Sequence, residues 1–473
     1  MLVKSPGFGT IKNSKLTIQG KIVLISEIDF EGKVVRLHDD RLAESKNSFT
    51  VIVGKNGSGK SRLLRKLTHS CVQTFVTKEP VGFKEIAQLP RNVIAVSTSP
   101  FDRFPMASFG PNIRNGDRYV DDAKGYYFYQ GLRGLYTYNL SVSYMVQIIG
   151  GVIRALMTNE ARLGTILDVL DYLGFEKGLQ INLTCEITRP TLERLAAKGG
   201  IDEYIIGGRR TGTEVRRLLG KIIEEPLEYK EEVAEAIGHY VNVGSPRNID
   251  ISLTDDGFDA VAGVLDERFI TLMECGVLRL KLLALRKKGL QKPVRINDAS
   301  SGEQCVVMTM LGIAARIKDG SLICIDEPEI CLHPEWQERY IQLLMSTFRG
   351  FHSCQFVIAT HSPQIVSRLG SENCYVLDLQ NNTLQRAEAF NNRSADFQLA
   401  QVFNAPGFKN EYMMRELLSI VTTLSSGKSL SPKQKSFIDD AKGLKGAFSH
   451  DDPVLQLTKL VEEALKVKGA RGE

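Results

Sequence analysis

The chain has 473 residues, 43% of them hydrophobic, and a formal net charge of +5 at pH 7. This composition predicts a globular protein with hydrophobic cores and roughly two to four domains. The net charge is too small to demand a nucleic-acid partner, and it does not exclude a local basic groove. The 8 cysteines have no metal-ligand spacing, and the N-terminus has no continuous apolar leader. We therefore expect free thiols and a cytoplasmic protein.

The first predicted unit, residues 1–104, is rich in strand patterns such as KLTIQG, KIVLISEIDF and KVVRL. It contains VIVGKNGSGKSRLLRKL at 51–67, an apolar strand, a glycine-rich loop and the start of a helix, and the loop fits G-x-x-x-x-G-K-[ST]. The glycines let backbone N–H groups converge on a polyphosphate, Lys60 would reach the β- and γ-phosphates, and the Ser61 hydroxyl would ligate Mg²⁺. The candidate nucleotide-binding residues of this loop are Gly54, Asn56, Gly57, Gly59, Lys60 and Ser61.

The second predicted unit, residues 105–270, shows helical spacing in stretches such as LSVSYMVQIIGGVIRALM and YKEEVAEAIGHYV. This pattern predicts a mainly helical insertion between two halves of a sheet domain. Residues 276–296 alternate in polarity and contain a turn residue at Gly289. They predict a hairpin that returns the chain to the core.

The first candidate functional motif of the third predicted unit, residues 271–385, is NDASSGEQCVVMTML at 297–311. Ser300, Ser301 and Gly302 precede a helical pattern, and hydroxyls with free N–H groups at a helix start form an anion site. An ordinary serine N-cap is the alternative. The candidate ligand-binding residues here are Ser301, Gly302 and Gln304.

Two apolar strands follow, and each ends in polar side chains. SLICIDEPE at 321–329 ends its strand in Asp326 and Glu327, so Asp326 would hold Mg²⁺ and Glu327 would accept a proton from the attacking water. CQFVIATHSPQIV at 354–366 places His361 at the tip of the next strand. A histidine there is able to sense a γ-phosphate, although a lone histidine is more often structural.

Taken together, GKNGSGKS, SSGEQ, ICIDEPEICLHPEWQ and VIATHSP look like the motifs of the ABC-type ATPase family that includes RecF, Rad50, the OLD proteins and many bacterial anti-phage ATPases. The resemblance implies an α/β fold, with an ABC-ATPase head built on a P-loop NTPase sheet. It also implies that the Lys60 loop faces Ser301 and Gly302 of a second copy. ATP and Mg²⁺ would lie between the two subunits, and hydrolysis would be coupled to dimer closure.

The sequence departs from the family in two places. The signature reads S-S-G-E-Q instead of the transporter form L-S-G-G-Q, which points to the soluble branch. After the strand at 91–97 no glutamine is available to contact Mg²⁺ and the attacking water, and only Ser97 or Asp102 stands nearby. The resemblance therefore supports ATP binding more strongly than efficient turnover.

The chain shows no nuclease pattern of its own. After His361 the acidic residues lack the carboxylate set of the Toprim nuclease found in OLD proteins, and the 7 histidines do not cluster as in an HNH nuclease. The fourth predicted unit, residues 386–473, contains helical stripes such as Leu457, Leu460, Val461, Ala464 and Leu465. We predict a helical tail that docks a partner protein, with simple packing onto the head as the alternative.

The tail, with its SAD and VF opening and its DDP helix near the end, is similar to the ATPase subunit of Septu-type anti-phage systems (PtuA-like), including those attached to retrons. This resemblance implies an ATPase homodimer or larger oligomer that carries an HNH nuclease subunit (PtuB-like). In a retron, the reverse transcriptase and its RNA–DNA product would be further partners.

The sequence thus predicts an ABC-type ATPase that acts as sensor and scaffold in a defence complex. The alternative is a RecF-like repair or maintenance ATPase that clamps DNA directly. Clusters of basic residues would form its DNA-binding surface, although clusters of this size are more often solvated faces. The first cluster is Arg209, Arg210, Arg216, Arg217 and Lys221, and the second is Arg286, Lys287, Lys288 and Lys292.

Overall fold

The computed structural model describes residues 24–39, 46–83, 88–106, 123–133, 140–206, 212–223, 225–260, 265–290, 292–370 and 372–470. The predicted strand KLTIQG and two members of the first basic cluster, Arg209 and Arg210, lie outside the described residues. All candidate residues of the nucleotide loop, the signature, the DE strand end and the histidine lie within them.

Strands and helices alternate along much of the chain. The strands are β1 Glu27–Phe30, β2 Lys33–Arg36, β3 Ser48–Val53, β4 Val93–Ser97, β5 Tyr127–Gln130, β6 Phe175–Thr184, β7 Asn248–Thr254, β8 Gly257–Ala260, β9 Arg279–Lys287, β10 Val294–Arg295, β11 Leu322–Asp326, β12 Gln355–Ala359, β13 Cys374–Asp378 and β14 Thr383–Arg386. The helices are α1 Lys60–Thr77, α2 Leu140–Thr158, α3 Arg162–Tyr172, α4 Arg189–Ala196, α5 Gly200–Ile206, α6 Thr213–Ile222, α7 Leu227–Asn242, α8 Glu267–Cys275, α9 Ser301–Arg316, α10 Pro334–Thr347, α11 Pro363–Ser367, α12 Ala395–Gln401, α13 Glu411–Ser425, α14 Pro432–Gly443 and α15 Pro453–Ala470.

The largest sheet has the strand order β14-β13-β3-β12-β11-β4-β5. All neighbouring strands are parallel except β13 and β14, which are antiparallel. In parallel strands the carboxyl ends meet at one edge, so the ends of β3, β4, β11 and β12 come together. This confirms the predicted α/β fold with a P-loop NTPase sheet.

Each central strand is buried on both faces. In β3, Val51 and Val53 belong to one hydrophobic core while Ile52 belongs to the other, because successive side chains point to opposite faces. Leu63 and Leu67 of α1 cover the Ile52 side, whereas helices α9 and α10 contribute to the opposite core. The strands therefore read as continuous apolar runs, as expected for a covered parallel sheet.

The segment 105–270 contains strands that helical spacing did not predict. β5 joins the main sheet beside β4, and β6, β7 and β8 form an antiparallel sheet with β9 and β10 in the order β10-β9-β6-β7-β8. One face of β6, including Leu179, Ile181 and Leu183, is buried in the main core. The helices α2 to α8 are present as well, and the boundaries of the predicted units stay predictions.

The predicted hairpin at 276–296 is confirmed. β9 and β10 pair antiparallel with Leu285 opposite Val294, and Gly289 in the connection has a φ of +83°. That left-handed conformation favours glycine because a Cβ would be strained there.

The C-terminal helices form a hydrophobic core of their own. It includes Met413 and Leu417 of α13, Phe437 of α14 and Val461 of α15. Of the stripe predicted on α15, Val461 is 1% exposed but Leu460 is 48% exposed, so this stripe is only partly covered. Within the described ranges, no helix combines the length and the apolar character that crossing a membrane requires.

Candidate nucleotide-binding site

The glycine-rich loop between β3 and α1 has the backbone that its sequence predicts. Gly59, the N-cap of α1, has a φ of +103°, a conformation that L side chains rarely adopt. A Cβ on Gly54 would lie 2.7 Å from the Ser58 hydroxyl oxygen, so a side chain there would require Ser58 to move. The Ser58 hydroxyl is buried with no hydrogen-bond partner among the described residues, so the loop holds a polar group that a ligand is able to satisfy.

Ser61 and Asp326 meet across the sheet edge. The Ser61 hydroxyl donates a hydrogen bond to Asp326 Oδ1 at 3.0 Å, although the two residues lie far apart in the sequence. Burial raises the pKa of Asp326 to about 7, with the hydrogen bond from Ser61 opposing that rise. A hydroxyl and a carboxylate are hard oxygen donors of the kind that Mg²⁺ prefers, and a cation there would relieve the cost of the buried charge.

Lys60 and His361 are in direct contact. Lys60 Nζ lies 2.6 Å from His361 Nε2 and also donates to the carbonyl oxygen of Gly54 at 3.0 Å. Burial and the nearby Lys60 charge lower the pKa of His361 to about 4. The imidazole is therefore neutral at pH 7 and accepts a hydrogen bond from the ammonium group.

Glu327 follows Asp326 in a left-handed backbone conformation, with a φ of +49°. This conformation is uncommon for a residue other than glycine and often marks a functional site. Its backbone N–H donates to the Ala359 carbonyl at 2.9 Å, which ties it to the end of β12. Glu327 Oε1 lies 4.0 Å from His361 Nε2, so both predicted catalytic groups stand at the same edge of the sheet.

Glu329 is a residue of the candidate site that the sequence reasoning missed. Its carboxylate accepts hydrogen bonds from the Thr360 hydroxyl at 2.8 Å and from the His361 backbone N–H at 2.5 Å. Burial raises the pKa of Glu329. Glu329 therefore positions the strand tip that carries His361, and the signal available in the sequence was a second acidic residue directly after Glu327 and Pro328.

The signature segment forms the start of α9. Ser300 is the N-cap and forms a capping box with Glu303, whose carboxylate also accepts from Lys287 Nζ at 3.0 Å. Ser301 is exposed, Gly302 is buried, and the Gln304 amide donates to the Ala299 carbonyl at 2.9 Å. Within the described residues, no hydrogen bond joins this segment to the Lys60 loop.

Ser97 and Asp102, the two candidates for the missing glutamine, differ in surroundings. Asp102 is buried, and its carboxylate accepts from the Tyr129 hydroxyl at 2.5 Å and the Phe104 backbone N–H at 3.1 Å. Ser97 ends β4 and pairs in register with Asp326. The oxygens of Asp102 are thus engaged by Tyr129 of β5 and by its own loop, whereas Ser97 lies beside the predicted metal ligand.

The arrangement suits a nucleoside polyphosphate with one divalent cation. The loop offers a glycine backbone and the N-terminus of α1, and Lys60 is the buried cation among Asp326, Glu327 and Glu329. Burial lowers the pKa of Lys60, while these three carboxylates oppose that shift. The described residues contain no group of three or more His, Cys, Asp or Glu arranged for a metal, so a cation at Ser61 and Asp326 would take further ligands from phosphate and water.

Residues 213–367 match a protein-family model described as "AAA domain, putative AbiEii toxin, Type IV TA system". The match includes the signature, Asp326 and His361 but not the Lys60 loop, and it covers less than half of the chain. The chain therefore resembles this family in its second half.

Two similar proteins carry the name of retron ATPases. The retron Ec83 probable ATPase of Escherichia coli is 34% identical over 89 residues, 16% of each chain. The retron Vc95 probable ATPase of Vibrio cholerae serotype O1 biovar El Tor is 28% identical over 96 residues, 18% of each chain. The aligned part is thus a small share of either relative, and within it the chain resembles these retron probable ATPases.

Two solved structures are similar at low scores. A nucleotide-free ATP-binding cassette from an ABC transporter has a TM-score of 0.23 at 13% identity, covering 75% of this chain and 86% of its own. An SMC head bound to the C-winged helix domain of ScpA has a TM-score of 0.26 at 12% identity, covering 76% and 94%. Scores this low do not establish a common architecture along the whole chain.

Proposed function

We propose that this chain binds ATP with Mg²⁺, hydrolyses ATP, and serves as the ATPase subunit of an anti-phage defence complex. The observation that carries the proposal is the meeting of Lys60, Ser61, Asp326, Glu327 and His361 at one sheet edge, with Ser61 bonded to Asp326 at 3.0 Å and Lys60 in contact with His361 at 2.6 Å. The similarity to retron probable ATPases supports the defence role.

Each residue has a distinct task in the proposed reaction. The loop backbone and Lys60 bind the phosphates, and Ser61 and Asp326 hold Mg²⁺, which neutralises charge on the phosphates when bound. Glu327 accepts the proton of the attacking water. His361, neutral at pH 7, would leave Lys60 when phosphate arrives and, as the tautomer that carries its proton on Nε2, would donate a hydrogen bond to a γ-phosphate oxygen.

The site is proposed to be completed by a second copy of the chain. Ser301 is exposed at the N-terminus of α9, and Trp336 lies directly beneath Gly302, because a Cβ on Gly302 would be 3.2 Å from Trp336 Cδ1. A hydroxyl and the helix N-terminus suit the γ-phosphate held by the partner. ATP would therefore close the dimer, and the resulting conformational change would be the output.

This conformational change is proposed to act on a separate nuclease subunit of the HNH type (PtuB-like). In a retron it would also act on the reverse transcriptase and its RNA–DNA product. The C-terminal helices have their own core and leave apolar side chains exposed at Leu418 (51%), Leu460 (48%) and Val467 (54%). Apolar groups on a helical surface suit docking of a partner protein. ATP-dependent closure would then restrain or license the nuclease.

The RecF-like clamp remains the second candidate, but four of the seven described members of its basic clusters are paired with acids. Ion pairs join Arg217 to Glu214 at 3.1 Å, Arg286 to Glu176 at 3.4 Å, Lys287 to Glu303 at 3.0 Å and Lys288 to Asp171 at 2.7 Å. Each pair reduces the charge available to a phosphate backbone. The described residues of these clusters therefore favour a role in a defence complex over direct DNA binding.

Native mass spectrometry of the protein expressed with its chromosomal neighbours, with and without ATP, tests the proposal. A nuclease subunit in fixed stoichiometry, together with ATP-driven dimers, is the expected result. Ser301→Arg should block the dimers while leaving the monomer folded, and fluorescence of Trp336, the single tryptophan, should report closure only in the wild type. Homodimers that bind DNA only with ATP, and no nuclease, would favour the clamp instead.

A further inference from the structure

Gln337, in the first turn of helix α10, has no task in the proposed reaction, although it belongs to the motif ICIDEPEICLHPEWQ. Its half-buried side-chain amide bonds to two different segments of the chain. The amide nitrogen donates to the Leu332 carbonyl at 2.9 Å, and the amide oxygen accepts from the Ser362 hydroxyl at 2.8 Å. Because a carbonyl only accepts, the NH₂ group must face Leu332 and the amide oxygen must face Ser362. These two hydrogen bonds are called the Gln337 bridge.

The bridge joins the two segments that carry the proposed catalytic groups. Ser362 directly follows His361 and is 3% exposed. Leu332 directly follows the 3-10 turn Pro328–Cys331, which begins after Glu327. The Ser362 hydroxyl also lies 3.1 Å from the amide oxygen of Gln364, so its contact with Gln337 is the shorter of the two.

The turn that carries His361 is therefore held from two sides. On one side, Glu329 accepts from the Thr360 hydroxyl at 2.8 Å and from the His361 backbone N–H. On the other side, Gln337 accepts from Ser362, whose own backbone N–H donates to the Thr360 hydroxyl oxygen at 2.9 Å. Thr360 and Ser362 are both buried, so water does not readily replace these partners.

The segment on the Leu332 side is itself packed against the signature helix. A Cβ on Gly302 would lie 3.2 Å from Trp336 Cδ1 and 3.5 Å from the Cys331 carbonyl oxygen, so the start of α9 rests directly on residues 331–336. The backbone N–H of Gln337 donates to the His333 carbonyl at 3.1 Å, which begins α10 at this point. The Leu332 carbonyl is thus a firm anchor for the bridge.

We propose that Gln337 is a positioning residue for ATP hydrolysis, whose amide fixes the turn carrying His361 relative to the segment that follows Glu327. Gln337 contacts neither phosphate nor cation in this role and acts through Ser362 and Leu332. Loss of the bridge would leave the Lys60 loop intact and allow His361 to leave its place beside the γ-phosphate. The role in hydrolysis rests on the proposed function, whereas the bridge itself does not.

Hydrogen exchange of the full-length protein without nucleotide tests the bridge. Gln337→Met keeps the size of the side chain and removes both polar atoms. Peptides that cover residues 360–366 should exchange about fivefold faster in this variant, which is the effect of losing about one hydrogen bond. The matched control is Gln342→Met in the same helix, whose side chain is exposed and whose exchange should equal that of the wild type. Unchanged exchange in Gln337→Met would overturn the bridge.

Calorimetric titration with ATP and phosphate release at saturating ATP test the role in hydrolysis. Gln337→Met should lose at least about tenfold in kcat, because a catalytic group displaced by about 1 Å loses up to about 100-fold. Its Kd for ATP should change by less than about twofold, and Gln342→Met should keep both values. Gln337→Glu is the second variant if the methionine form does not fold. Its carboxylate accepts from Ser362 but has no proton for the Leu332 carbonyl, so it should lose kcat as well.

A double variant decides whether Gln337 acts through Ser362. In a Ser362→Ala background, Gln337→Met should lower kcat by less than about threefold, whereas an independent effect would lower it by the full factor again. Faster exchange with undiminished kcat, or equal losses in both backgrounds, would overturn the positioning role. A wild type that hydrolyses no ATP would refute the proposed function, while the exchange measurement still decides the bridge.

Discussion

Replacing Glu329 separates the positioning of His361 from binding of the nucleotide. Glu329→Ala removes the acceptor of two hydrogen bonds, one from Thr360 at 2.8 Å and one from the His361 N–H at 2.5 Å. Thr360 is fully buried, so water does not readily replace the carboxylate. Each buried donor left unsatisfied costs about 1–3 kcal/mol, and the free energy of unfolding should fall by about 2–6 kcal/mol.

The matched control is Glu329→Gln, which has the same shape without the charge. Its amide oxygen is able to accept from the His361 N–H, and its NH₂ group is able to donate to the Thr360 oxygen. We expect unfolding free energy within about 1–2 kcal/mol of the wild type and retained hydrolysis. Glu329→Ala should lose about 100-fold in kcat, because a displacement of about 1 Å in a catalytic group has an effect of that size.

The assays are denaturant unfolding, calorimetric titration with ATP, and phosphate release at saturating ATP. Glu329→Ala should still bind ATP, because the binding loop around Lys60 is intact. Wild-type turnover by Glu329→Ala would show that the position of His361 does not depend on this carboxylate. Equal loss of turnover in both variants, with both folded, would show that the charge matters and the placement does not.

The remaining predictions concern three other side chains. Lys60→Ala should abolish ATP binding in calorimetry, and retained stoichiometric binding would contradict the loop assignment. Glu327→Gln should bind ATP yet hydrolyse it at least about 100-fold more slowly, so undiminished turnover would mean that another base acts. Iodoacetamide should alkylate Cys331 at a lower pH than an ordinary thiol, because interactions with the Cys305 and Thr98 side chains lower the pKa of Cys331 to about 6 and the reactive thiolate disappears only below that pH. A midpoint near about 8.5, the value of an unperturbed thiol, would contradict this lowered pKa.

The sequence predicted the elements of the site because their spacing is local. A strand, a glycine loop and a helix occupy 51–67, and Gly54 and Gly59 adopt the positive φ values that the loop requires. Asp326 and His361 likewise lie where their strands end. That these ends meet was predictable only through the resemblance, since strand order depends on contacts between residues about three hundred positions apart.

The parts that were missed depend on tertiary contacts. Helical spacing in 105–270 gave no sign of β6, because the whole segment was interpreted from the helical stretches on either side, although Leu179, Ile181 and Leu183 alternate along this strand. Glu329 became recognisable only when Thr360 and His361 were placed against it. The Lys60 to His361 contact is a feature of the folded chain that no local pattern encodes.

The strand order has a consequence for how the protein is made. β3, which carries the nucleotide loop, pairs with β12 and β13, and both of these strands are translated about three hundred residues later. When residues 1–340 have left the ribosome, β3 is therefore present while neither of its neighbouring strands, β12 and β13, has emerged. Such strands are prone to pair with other chains, so we expect truncated messages to yield aggregates and full-length synthesis to depend on chaperones that shield β3 until the last third of the chain emerges.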